Sequence, residues 1–93
     1  MRKSGGSTLN EVMFLPKQLI AARALAGWSR ADLANHSDTG VETIQGFEAK
    51  GSDPRRSTLI AWRNALAKVG VEFTDETDEH GAGVRFRKAG KRP

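Results

Sequence analysis

The side chains able to do chemistry in this chain are few, and their spacing decides what they can do. His36 and His80 stand far apart and cysteine is absent, which excludes disulfides, thiolate nucleophiles and thiolate metal sites. Asp75, Glu76, Asp78 and Glu79 crowd into one short stretch. They could hold a cation loosely, but with no histidine or cysteine ligands beside them they read as a solvated loop. No Ser/His/Asp or Cys/His set and no phosphate-cradling glycine loop is visible. The expectation is a protein that is not an enzyme and uses no metal, no cofactor and no small-molecule substrate.

What remains is positive charge and hydrogen bonding. Arg55 and Arg56 stand directly before Ser57 and Thr58. Guanidinium groups, hydroxyls and the N–H groups of a helix start together suit a phosphate, and the same stretch also reads as a solvated loop. Arg85, Arg87, Lys88, Lys91 and Arg92 form a second basic group, with Arg2 and Lys3 at the other end. These termini read equally as arms lying along a polyanion and as solubility tails. Net charge is +4 and the pI is about 10.0. That suits a polyanionic partner, although small domains carry as much for solubility alone.

The 93 residues are enough for one domain with a modest core. No stretch is long and apolar enough to span a bilayer. The basic start Met1-Arg2-Lys3 lacks an apolar run behind it, so no secretory signal is expected and the cytoplasm is the expected compartment.

The elements that must position these groups follow from period and punctuation. Residues 1–14 are polar and rich in glycine and serine, and read as a flexible arm whose apolar end, Val12 to Leu15, can pack on the domain. Pro16 suits a first helical turn, Leu19, Ala22 and Ala26 share a stripe, and Gly27 stops the helix. Ser29 caps a second short helix from Arg30 to Ser37 that buries Leu33 and Ala34. Asp38-Thr39-Gly40 turns the chain into a third, Val41 to about Ala49, with Ile44, Phe47 and Glu48 facing the first. Ser57 is read as the cap of a fourth, Thr58 to Val69, with Leu59, Trp62, Leu66 and Val69 at helical spacing and Gly70 as its stop. The period then changes to two. Val71 and Phe73, and again Val84 and Phe86, alternate with polar residues as two short strands, and a hairpin would set Glu72 near Arg85 or Arg87. Trp28 and Trp62 read as core, His36 as a surface residue and His80 as idle.

Two short helices joined by a tight turn inside a four-helix array are the frame of a DNA-binding helix-turn-helix. The segment from Leu19 to about Phe86 resembles the Cro/CI-type (XRE) regulators, in particular small bacterial members that end in a strand pair. The resemblance is carried by Ala22 to Ser29, Leu33-Ala34, Thr43-Ile44, Phe47-Glu48, Ser57-Thr58-Leu59, Gly70 to Phe73 and Gly83-Val84-Arg85. The pattern departs from the family in the turn, where Asp38 replaces the usual glycine, Thr39 an apolar plug and Gly40 a capping hydroxyl. Asp38 tolerates a left-handed conformation, and Thr39 is a poorer plug than valine.

The resemblance implies a mainly α, four- to five-helix, lambda-repressor-like domain (residues 15–70), followed by a strand pair (71–88) and a basic tail (89–93). It implies that the helix from Val41 reads the major groove, with Val41, Glu42, Gln45 and Gly46 at base edges. Ser29, Arg30, Thr39, Thr43, Arg55, Arg56, Ser57 and Thr58 would contact the DNA backbone, and Arg23 would pair with Glu48 as scaffold. Such proteins bind double-stranded DNA as dimers, and Val71, Phe73, Val84 and Phe86 are the expected dimer contact. The expected function is a dimeric repressor at a palindromic operator, nucleoid-associated when bound. The alternative is a protein-interaction module on the same scaffold (an antitoxin, anti-repressor or adaptor), and a regulatory protein partner fits either.

Overall fold

The computed structural model describes residues 13–88. Four helices, α1 (Pro16–Ala26), α2 (Arg30–Ser37), α3 (Val41–Lys50) and α4 (Arg56–Lys68), precede two antiparallel strands, β1 (Val71–Thr74) and β2 (Gly83–Phe86). The mainly helical architecture with a terminal strand pair is the one the sequence predicts.

Local chemistry accounts for most of the boundaries. Pro16 opens α1, and Gly27 closes it in a left-handed conformation (φ 74°) that glycine adopts without a Cβ clash. Ser29 and Asp32 cap α2 reciprocally: Ser29 Oγ accepts the Asp32 N–H at 3.0 Å and Asp32 Oδ2 accepts the Ser29 N–H at 2.9 Å. The Ser29 backbone N–H and hydroxyl hold the Asp32 carboxyl below its ordinary value. Asp38 ends α2 at φ 57°, ψ 46°, the left-handed position expected of it.

Three boundaries differ from the sequence reading. α4 starts at Arg56, with Arg55 at the N-cap and no side-chain cap bond, so Ser57 lies inside the first turn and caps nothing. Arg55, Arg56 and Ser57 are all exposed, so water can satisfy the first N–H groups of that turn. At the other end α4 stops at Lys68, with Val69 as the cap and Gly70 at φ 86°. The core begins at Phe14, one residue before the expected domain boundary and within the apolar end of the arm expected to pack on the domain: Phe14 is 3% exposed, stacks on Phe73 at 4.2 Å and meets the edge of Phe47 at 5.9 Å. A large aromatic ring next to a helix start gains more by burial than an arm gains by mobility.

The core is built around Trp62, Leu19, Leu33, Ile44, Leu66 and Val71, all fully buried. Trp28 packs on its margin and only partly leaves solvent. Its outer face carries the His36 ring, stacked at 4.2 Å and 5°. In the hairpin, Val71 lies opposite Phe86 and Phe73 opposite Val84. Glu72 meets Arg85 at 2.8 Å and stands 3.8 Å from Arg87, so both expected partners are present.

Gln18 joins the first described helix to the hairpin, a link the sequence gives no sign of. Its Oε1 accepts the Leu15 N–H at 2.6 Å, and its Nε2 donates to the carbonyls of Thr74 at 3.2 Å and Gly83 at 2.9 Å. The side chain is buried with its amide oxygen and both amide hydrogens used, as a buried polar group requires.

Candidate nucleic-acid interface

Two hydrogen-bonded groups fix α3 relative to the rest. The first centres on Glu48, whose side chain is 0% exposed. Arg23 of α1 grips it bidentately, Nε to Oε2 and Nη2 to Oε1, both at 2.8 Å. Arg30 of α2 adds a third bond, Nε to Oε1 at 2.9 Å, and Arg23 Nη1 also donates to the Trp28 carbonyl at 3.0 Å. Burial pushes the Glu48 carboxyl up, but hydrogen bonds and charge from the two arginines outweigh it and hold the group below its ordinary 4.5. The expected Arg23–Glu48 pair is therefore present and enlarged. Arg30, expected at a DNA backbone, spends its Nε on Glu48, and its side chain stays 38% exposed.

The second group centres on Thr39 in the α2–α3 turn. Trp62 Nε1 donates to Thr39 Oγ1 at 2.9 Å, and Thr39 Oγ1 lies 2.9 Å from Ser37 Oγ. Ser37 gives its own proton to the Leu33 carbonyl at 2.6 Å, so Thr39 must donate to Ser37. Thr39 is thus a hydrogen-bonded plug and not a weak apolar one, and its hydroxyl is already engaged within the chain.

These anchors leave one side of α3 in solvent. Val41 is 37% exposed, and Glu42, Thr43 and Gln45 are exposed as well. Gly46 is half-buried, and a Cβ there would meet Ser52 Oγ at 3.1 Å, so its small size serves a contact inside the chain. Ser29 Oγ is taken by the α2 cap. Arg55, Arg56 and Ser57 are exposed and Thr58 is half-buried. Arg63, also exposed on α4, is a further cation that the sequence reading passed over, with no spacing signal to single it out. Arg2, Lys3, Lys91 and Arg92 lie outside the described residues.

An open depression of 590 Å³ between α2 and the start of α3 is lined by Asp32, Asn35, Asp38, Thr39 and Val41 among others. No group of three or more His, Cys, Asp or Glu residues is placed to hold a metal ion among the described residues. No described helix is long and apolar enough to cross a membrane.

The side chains expected at a dimer contact point elsewhere. Val71 is buried, and Phe73 and Val84 pack against the core. Phe73 and Val84 stay half-buried, and of the four Phe86, 57% exposed, is the most open to a partner. A two-stranded sheet over helices must bury one face, and these residues form that face.

No model of a known protein family matches the chain, and no curated protein matches it significantly.

Proposed function

We propose that the chain is a small DNA-binding transcriptional regulator of the Cro/CI helix-turn-helix kind, a dimeric repressor that lays α3 in the major groove of a palindromic operator. The observation that best supports this reading is the mounting of α3. Glu48 on its inner side is tied to α1 and α2, while Val41, Glu42, Thr43 and Gln45 face outward together. A groove reader needs such a helix, held in place from behind and presenting polar side chains in front.

In this reading Gln45 pairs with adenine, Glu42 accepts from the cytosine amino group and Val41 meets a thymine methyl. Arg55, Arg56 and the first turn of α4 supply phosphate contacts, which set register and most of the salt-dependent affinity. Selection of bound duplexes from a random library at near-physiological salt tests the proposal. A two-fold symmetric motif supports a dimeric sequence-specific regulator, and recovery of no motif overturns it.

A second reading, an interaction module that binds a protein partner, has one observation in its favour. The only basic residue of α3 is Lys50 in its last turn, and Asp32 and Asp38 line the depression beside its start. Phosphates are repelled there, and a basic protein surface is not.

A further inference from the structure

Among the described residues, β2 presents an open backbone edge. The Arg87 N–H donates to the Gly70 carbonyl at 2.7 Å, which sets the alternation of the ladder. The Glu72–Arg85 and Thr74–Gly83 pairs exchange backbone hydrogen bonds, and the Val71–Phe86 and Phe73–Val84 pairs do not. The N–H and C=O groups of Val84 and Phe86 therefore point away from β1, and they meet no partner among the described residues. Arg85, Phe86, Arg87 and Lys88 line a 400 Å³ depression on the hairpin together with Glu72 of β1. Arg85 is bonded to Glu72 and Arg87 to the Ala67 carbonyl, and three cations against one carboxylate leave this side of the hairpin net positive.

We infer that this edge accepts an extended acidic peptide of a partner protein as a third strand. Unpaired N–H and C=O groups in alternation bind another strand, and side chains at alternate positions choose which one. A second copy of β2 is disfavoured, because it would set Arg85 and Arg87 against the same cations, and like charges opposite one another destabilise a strand pair. The chain's own acidic loop is held folded by Thr77. Its N–H donates to the His80 carbonyl at 2.7 Å, and its Oγ1 accepts the N–H groups of Glu79 and His80. Duplex DNA offers phosphates but no alternating donors and acceptors to match the edge. The fitting guest carries acids beside Arg85 and Arg87 on the outer face and apolar residues beside Val84 and Phe86 on the inner one, covering the exposed Phe86 ring. The inference does not rest on the DNA reading, since it uses the hairpin and not α3.

The test is a titration of the isotope-labelled full chain with a synthetic heptapeptide of alternating valine and glutamate, followed by amide chemical shifts. Shifts and slowed hydrogen exchange are expected at Val84 and Phe86, with the α3 amides unmoved. Arg85→Gln with Arg87→Gln should weaken binding about five- to tenfold, and Lys88→Gln, outside the strand, about twofold. No response at millimolar peptide, equal binding of the valine–lysine counterpart, or displacement of the peptide from these amides by duplex DNA would overturn the inference.

Discussion

The indole N–H of Trp62 donates to the hydroxyl of Thr39 at 2.9 Å, so the largest fully buried side chain of α4 ends on the turn between α2 and α3. Trp62 is fully buried and its ring nitrogen can only donate. Thr39→Val, which enlarges the apolar plug, should therefore destabilise the protein, because it strands that donor and removes the donor to Ser37. The expected cost is about 1–3 kcal/mol, a melting temperature lower by roughly 4–8 °C per kcal/mol for a domain of this size. An unchanged or raised melting point would show that the plug acts through volume alone.

Glu48→Ala should lower stability by about 3–5 kcal/mol, since it leaves the partly buried Arg23 without its partner. A thermal melt reads this directly. Glu48→Gln, which keeps the shape and can accept hydrogen bonds, should cost less. In DNA binding, Glu48→Ala should lower the melting temperature before it alters sequence preference.

The same carboxylate predicts a pH response. Its folded-state value lies below the ordinary 4.5, so its contribution is fully present above that value and is lost as pH falls through the lower, folded value. Melting followed from about pH 6 down to about pH 3 should decline, and Glu48→Gln should flatten the decline. Asp32, also held low, contributes in the same direction, so the difference between the two proteins is the quantity to read.

Gln18→Met keeps the length of the side chain but leaves the Leu15 N–H and two hairpin carbonyls without their partner. We expect a loss of about 1–3 kcal/mol and faster amide exchange at the Thr74–Gly83 end of the hairpin, with α2 and α3 less affected. Uniform destabilisation would mean that Gln18 acts as a packing residue only.

Arg55→Ala with Arg56→Ala should weaken binding to all duplexes alike and reduce the slope of affinity against salt by about two. Fluorescence anisotropy with two unrelated duplexes checks it. A change in preference between them would place these arginines at base edges.

What was legible in the sequence is what local chemistry writes there. Ser29 with Asp32, Gly27, Asp38 and the stripe Leu59, Trp62, Leu66 each announce a cap, a stop or a buried face through spacing alone, and the strands announce themselves through period two. What was not legible depends on residues distant in sequence. Gln18 looks like any helical glutamine until Thr74 and Gly83 arrive beside it, and Thr39 looks like a flawed valine until Trp62 is packed above it. Arg30 reads as a free cation because nothing nearby in the sequence shows that Glu48 has room for a second guanidinium. Ser57 misleads for the opposite reason: a good capping residue stands where the helix has already begun.

The Phe14–Phe73 stack and the Gln18 bridge to Thr74 and Gly83 also bear on how the chain comes to be folded. Contacts between the first and last described elements form late, because the loop between them must close before either side benefits. During synthesis α1 to α4 can emerge and begin to associate, but Phe14 and Gln18 lack their partners until the hairpin has left the ribosome. A chain cut after Gly70 would keep that unfinished surface permanently, so removing the strands should lead to aggregation before it reports on anything the strands do in the folded protein.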